Sequence, residues 1–255
     1  MLNDLMIDPK EEVRKITSFI SETLLKQKKD KVVIGVSGGI DSATSLYLLK
    51  DSIPLENIRV ITLPYFDNQL GDISELTMSI YLPKENFQTI SIKPMADLII
   101  NTLKIPELDL VRRGNVMARI RMIMLFDLAK KMNALVCGTE NKSESLLGYF
   151  TRFGDEASDI EPIRHLYKTQ VYELARHIGV PKKIIEKKPS ANLWYDQTDE
   201  DEFGFSYEEA DQVFYLHFDK KLSVEEIEKQ GFKSAKQIID FANKNSYKHN
   251  VPYVI

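Results

Sequence analysis

The 255-residue chain has one cysteine, Cys137, one tryptophan, and no surplus of positive charge. A lone thiol cannot close an internal disulfide or build a cysteine zinc cluster, which excludes a secreted disulfide scaffold and a zinc ribbon and makes a cytoplasmic setting the expectation. His165, His177, His217 and His249 are scattered without HExxH spacing, so they supply no zinc motif. No run approaches the roughly 18 to 20 apolar residues that span a bilayer, and the opening Met1 to Pro9 carries acids where a signal peptide is apolar; no membrane association is expected. A net charge of −4 lacks the basic balance that holds a phosphate backbone, which argues against a nucleic-acid partner. There is no internal repeat, low-complexity tract or dividing linker, so a single domain over residues 1–255 is expected.

What is present is an alternation of short apolar runs and amphipathic stretches. Glu11 to Lys29 reads as a helix, with Val13, Ile16, Phe19, Ile20 and Leu24 at helical spacing. Runs at Lys31–Val36, Arg59–Leu63, Phe87–Ile92 and Ala134–Gly138 read as buried strands, separated by helices over Ala43–Lys50, Asp72–Tyr81, Met95–Leu103 and Arg112–Met132. Apolar strands without polar alternation, spaced by helices, define an α/β fold: a Rossmann-like, doubly wound parallel sheet flanked by helices, with its site at the carboxyl ends of the strands. Beyond Gly138 the pattern predicts helices over Tyr167–Gly179 and Pro181–Lys188, a polar loop without helix or strand over Pro189–Ser206, and additional C-terminal helices over Tyr207–Phe218, Ser223–Lys229 and Ser234–Asn245.

The most informative segment is Gly35-Val36-Ser37-Gly38-Gly39-Ile40-Asp41-Ser42, between a strand and a helix. Gly38 and Gly39 allow a tight turn with successive N–H groups exposed, and Ser37 and Ser42 add hydroxyls at the positive end of the helix. A phosphate group suits that turn, although neither the Walker A pattern nor GxGxxG is present. Asp41 would repel phosphate unless a cation stood between them, which points to magnesium, Mg2+.

The Ser, Gly, Gly, Asp, Ser combination resembles the pyrophosphate-binding loop of the ATP pyrophosphatases. Further blocks follow: Asn115 to Met122, Gly138 to Glu144, Gly148 to Asp155, Tyr167 to Ala175, Pro189 to Trp194 and Gln197 to Glu202. Together, and in this order, they are similar to the NAD synthetase family. The resemblance implies a ligase that adenylates the nicotinate carboxylate of deamido-NAD with ATP and then lets ammonia displace AMP. It implies that Gly35 to Ser42, Thr139, Lys168 and Ser190 contact ATP, and that Asp41 and Glu144 hold Mg2+. It further implies that Arg119, Arg152, Asp159, Tyr247 and Lys248 contact deamido-NAD, and that the molecule is a homodimer. Asp155 is the candidate for taking the proton from ammonium, because only the neutral amine is a nucleophile; a turn aspartate after Gly154 is the plainer alternative.

Some positions depart from the family pattern. Glu156 replaces a glycine, Asn192 replaces an aspartate, Arg152 stands where many members have lysine, and Leu63 to Leu70 lacks serines common after the second strand. The acidic run Asp196 to Glu202 reads as a solvated loop or, by resemblance, as a lid over ATP with Trp194 as its anchor. Glutamine-dependent relatives carry an amidase domain with a catalytic cysteine; here Cys137 lies in a strand, so ammonia from solution or from a separate amidase is expected. Alternatives within the fold are a tRNA-thiolating enzyme and the synthetase half of GMP synthetase. A non-catalytic adenine-nucleotide sensor is the alternative from another class, and retention of Asp41 and Glu144 speaks against it.

Overall fold

The computed structural model describes residues 5–66, 71–191, 193–194 and 197–254. The end of the loop after the second strand, the Asn192 departure and Asp196 lie outside them.

Helix α1 (Pro9–Gln27) is set by its ends: Asp8 caps it by accepting from the Lys10 and Glu11 N–H groups, Pro9 fits the first turn, and Lys28 turns left-handed beyond it. Its buried residues Ile16, Ile20 and Leu24 fall one turn apart, so a single stripe faces inward. Then follow β1 (Val32–Gly35), α2 (Ile40–Ser52), β2 (Ile58–Thr62), α3 (Gly71–Ser79), β3 (Phe87–Thr89), α4 (Lys93–Thr102), α5 (Leu110–Met132) and β4 (Leu135–Cys137). The strands form one parallel sheet in the order β3-β2-β1-β4, with Val32 opposite Ile58 on one side and Leu135 on the other.

Alternation along the strands divides the core. Val32, Ile34, Val60 and Cys137 point to a layer built with α1, α2 and α3, and Val33, Ile61 and Val136 to a layer built with α4 and α5. Both faces are therefore covered, as the apolar strand runs predict. Each fully buried Val, Ile or Leu contributes about 1.5–3 kcal/mol of transfer free energy.

The strand order reverses at β1, because the chain moves from β1 to β2 and β3 on one side and returns to β4 on the other. In open parallel sheets such a reversal opens a crevice beyond the carboxyl ends of the two strands. The Ser37–Ser42 turn leaves β1 there, and Gly138–Glu144 leaves β4.

The rest of the chain comprises α6 (Lys142–Leu147), α7 (Lys168–His177), α8 (Lys182–Ile185), α9 (Asp199–Phe203), α10 (Tyr207–Phe214), a π-helical turn (Tyr215–Asp219), α11 (Val224–Lys229) and α12 (Ala235–Asn245). Elements α6, α9, α10, α11 and α12 share a separate core around Phe203, Phe214, Ile227 and Ile238. Helix α9 corrects the expectation of a helix-free segment over Pro189–Ser206. Thr198 caps it by accepting from the Asp201 N–H, its acids sit in the first turn where the helix dipole favours negative charge, and Gly204 closes it at φ 78°. No helix among the described residues is long and apolar enough to cross a membrane.

Candidate active site

The crevice is a cavity of about 260 Å³, lined by the β1 turn, the ends of β2 and β4, one face of α5, and the segment before α9. Gly38 turns at φ 78°, a conformation that L side chains rarely adopt. Within the turn Ser42 Oγ donates to Gly39 O at 3.0 Å, and the Gly39 N–H donates to Ser37 Oγ at 3.2 Å. The hydroxyls thus hold the turn open at the start of α2, where backbone N–H groups and the helix dipole favour an anion.

Asp41 in the first turn of α2 and Glu144 in the first turn of α6 face each other across the strand ends. The Lys168 ammonium lies between them, 2.6 Å from Asp41 Oδ2 and 3.0 Å from Glu144 Oε1. Asn141 aligns both acids: its amide donates to Asp41 Oδ1 at 3.0 Å, and its Oδ1 accepts from the Glu144 N–H at 3.0 Å in a capping box. Burial pushes the Glu144 carboxyl up, against the pull of Lys168. Burial alone would lower Lys168, but Asp41 and Glu144 outweigh it and hold the ammonium charged.

Lys168 is fixed from behind. Its N–H donates to Ser143 Oγ at 2.8 Å, Ser143 donates to the buried Asp211, and Asp211 also accepts from the Thr169 N–H at 2.8 Å. Asp199 pins the segment over the cavity, accepting from the Ala191 N–H and from the Tyr207 hydroxyl, both at 3.1 Å.

Asp155 and Arg121 stand on another wall. Asp155 faces the cavity and is reached by solvent there, while protein crowds its carboxylate on the other sides. This loss of hydration raises its pKa despite the Thr151 N–H at 2.9 Å and the charge of Arg121. Arg121 donates to Leu63 O at 3.1 Å, and burial lowers its guanidinium to about 10.

Of the expected ATP contacts, Gly35, Val36, Ser37, Gly39, Ile40, Asp41, Ser42, Thr139, Lys168 and Ser190 all line the cavity, together with Glu144 and Asp155; Gly38 completes the turn behind them. The expected deamido-NAD contacts are elsewhere. Arg119 is exposed and donates to Arg152 O at 3.3 Å, and the Arg152 guanidinium lies 5.5 Å from the Tyr247 ring centre. Lys248 donates to Gly148 O at 2.6 Å and Phe150 O at 2.9 Å. Asp159 braces β4 by accepting from the Val136 N–H at 2.7 Å. Arg121, Asn141, Asp199 and Asp211 were not singled out from sequence. The first lies two residues, about 200° of helix, from Arg119 and so on another face; the second announces itself in the Asn141-Lys-Ser-Glu144 capping pattern.

Two carboxylates at one end of an anion cradle fit Mg2+, which uses one or two protein carboxylates and takes its remaining oxygens from water and phosphates. Among the described residues no three His, Cys, Asp or Glu side chains gather to hold a metal unaided, so nucleotide oxygens would complete the set.

A parallel sheet covered on both faces, with a glycine turn at its point of reversal, places the molecule among the doubly wound α/β proteins. The family model for NAD synthase matches residues 12–252, and the chain belongs to that family. It is 41% identical over 255 residues to the NH(3)-dependent NAD(+) synthetase of Fusobacterium nucleatum, covering 99% of this chain and 98% of that protein. Among solved structures, the NMN synthetase from Francisella tularensis superposes with a TM-score of 0.83 at 34% identity, covering 98% of this chain and 99% of the other. The NH3-dependent NAD synthetase from Campylobacter jejuni, in complex with the nitrate ion, superposes with a TM-score of 0.80 at 29% identity over 98% and 100%.

Proposed function

We propose that the chain is an ammonia-dependent NAD synthetase, a ligase that forms the amide of NAD from deamido-NAD, ATP and ammonia. The observation that carries this reading is the meeting of Asp41, Glu144 and Lys168 beside the Ser37–Ser42 turn, with Asp155 facing the same cavity.

In the first half-reaction an oxygen of the nicotinate carboxylate attacks the α-phosphorus of ATP, and the bond to the β-phosphate oxygen breaks to release pyrophosphate. Negative charge accumulates on the leaving group, so fixed donors lower the barrier. The turn N–H groups, the Ser37 and Ser42 hydroxyls and Lys168 supply them, with Thr139 and Ser190 at the nucleotide's edge. Mg2+, held by Asp41 and Glu144, would add charge neutralisation on the phosphate oxygens. In the second half-reaction ammonia attacks the acyl carbon, the bond to the AMP oxygen breaks, and Asp155 accepts the proton that the nitrogen sheds. Its proton affinity, raised by burial, shifts in the direction a proton acceptor requires.

The Arg119, Arg152, Tyr247 and Lys248 group, outside the cavity, would hold the phosphates and adenosine of deamido-NAD, and Asp159 would do so alongside its bond to Val136. The same reading includes a homodimer, supported by the exposed apolar residues Leu98, Leu103, Val111 and Ile123 along α4 and α5. A cytoplasmic setting is supported by the free, buried thiol of Cys137.

Purified protein given ATP, Mg2+, deamido-NAD and an ammonium salt should yield NAD, AMP and pyrophosphate. Nicotinate mononucleotide offered in parallel distinguishes the chemistry named for the Francisella structure. Failure to make NAD would refute the proposal, and glutamine in place of ammonium should not support the reaction.

A further inference from the structure

Behind the cavity wall lies a second pair of acids, unused by the chemistry above. Glu140, between β4 and α6, is 6% exposed, and neither carboxylate oxygen accepts a hydrogen bond among the described residues. Among the described residues its one cationic neighbour is Arg164, 3.4 Å from Oε2, itself 42% exposed and shared with Ser145 Oγ. Glu161 approaches from the segment that bridges β4 at Cys137 and Ile160. Its Oε2 accepts from the Glu140 N–H at 3.1 Å and its Oε1 from Ser158 Oγ at 2.7 Å.

The pair sits close to the reacting space. A Cβ built on Gly138 would fall 1.8 Å from Glu161 Oε1, so the carboxylate occupies the room that only glycine leaves, and the same Gly138 lines the cavity. Glu140 is acted on by Glu161, Glu144 and Asp155 as well as by Arg164; Lys168 already pairs with Glu144 and Arg121 acts on Asp155, which leaves Glu140 and Glu161 with one half-exposed guanidinium on their outer side.

A buried carboxylate whose cation, Arg164, stands at 3.4 Å without a hydrogen bond is costly, and a small cation with several N–H donors would supply the bonds it lacks. We propose that Glu140 and Glu161 form an ammonium-binding site that loads the nitrogen substrate behind Asp155. The inference rests on the ammonia-dependent reading of the cavity. Ammonium is held by the carboxylate oxygens; an N–H bond breaks and an O–H bond forms on one carboxylate, leaving neutral ammonia beside the wall that Gly138 and Asp155 share. Burial raises Glu140 to about 8 and Glu161 to about 7, so near neutral pH Glu140 rests mostly protonated while Glu161 divides between its two forms, and the ionised Glu161 carboxylate is the one that takes the proton. Release of the proton to solvent on the Arg164 side resets the site.

Two measurements test this. The first needs no turnover: the thermal midpoint of the wild-type chain is compared in ammonium, potassium and sodium chloride at equal ionic strength, alongside Glu140→Gln and Glu161→Gln. Ammonium should raise the wild-type midpoint above both other salts, and each variant should lose that difference. Equal effects of ammonium and potassium, or no ammonium effect on the wild type, would overturn the site. The second is kinetic: each variant should raise the KM for ammonium about tenfold, the scale of one charge-assisted hydrogen bond. The KM values for ATP and deamido-NAD, and pyrophosphate release without ammonium, should stay as in the wild type. An unchanged ammonium KM, or an equal fall in both half-reactions, would overturn it. If the wild type makes no NAD but still shows the ammonium shift, the synthetase reading fails and the cation site stands.

Discussion

Lys168 shows how much of this cavity depends on one buried cation. It is 2% exposed, bonds two carboxylates, and stands 5.1 Å from the Tyr207 ring centre, so the low dielectric that makes an unpaired charge costly here makes the paired one rigid. Its position could be read from the Tyr167 to Ala175 block. What could not be read is that Ser143 and Asp211 hold it from behind, because those contacts join residues 25 and more positions apart. The contrast between Arg119 and Arg121 has the same origin: helix periodicity puts them on different faces, but only the packing of α5 on the sheet decides which face meets the cavity. Asp155 gives the sharpest residue-level prediction. Asp155→Asn keeps the shape and the bond from Thr151 but removes the proton acceptor, so amide formation should slow by about 10²-fold or more, the usual range for a general base. Adenylate formation, followed by pyrophosphate release without ammonium, should change far less. Equal losses in both half-reactions would reassign Asp155 to the structural turn after Gly154.

At the scale of elements, the strands and long helices were readable to within two or three residues at most ends, because apolar runs and caps are local signals. Helix α9 was not, since five residues rich in acid resemble a solvated loop; its stability comes from Thr198, the helix dipole and the packing of Phe203 on Tyr149 and Phe241. The segment leading into it is held from three sides. Leu193 packs on Gly114 of α5, the Leu193 N–H donates to Gln197 Oε1 at 2.7 Å, and Gln197 and the Tyr149 hydroxyl both donate to Glu202. Leu193 thus anchors the segment on the α5 layer, and both Leu193 and the neighbouring Trp194 are half-buried. A Cβ at Gly114 would lie 2.9 Å from Leu193 Cδ1, so Gly114→Ala should displace the leucine while adding about 1 kcal/mol of helix propensity to α5. Limited proteolysis between Lys188 and Phe205 should become several-fold faster in this variant without a fall in thermal midpoint, and ATP, Mg2+ and deamido-NAD together should slow the cutting in the wild type. Unchanged cutting in both comparisons would remove the lid role.

Over the whole molecule, the alternating core residues of four short strands explain the fold, and they also gather acids at one end of it. Glu140, Glu161 and Asp211 are raised by burial to about 8, 7 and 6, and Glu144, Asp155 and Asp199 shift in the same direction. Composition showed the net charge but could not show this gathering, which arises because β4, α6 and the Asp155–Glu161 segment converge on one sheet edge. Each such group binds its proton more tightly in the folded chain than in the unfolded one. Below about pH 4 both states are protonated and the groups are neutral to stability; as the pH rises the unfolded chain ionises first, so stability falls until the folded pKa is passed. For Asp211, which moves from 3.8 to about 6, the loss is on the order of 3 kcal/mol and lies between those pH values. The midpoint of the ligand-free wild type should therefore decline from about pH 5 to pH 8. Asp211→Asn keeps an acceptor for Thr169 and a donor for Ser143, so its stability relative to the wild type should rise by that amount between pH 4 and 6 and stay level above. A difference independent of pH would mean that the charge at Asp211 is already met by Ser143, Thr169 and Lys168, and that the acid end of the sheet is balanced by its own hydrogen bonds rather than by the cations it is built to receive.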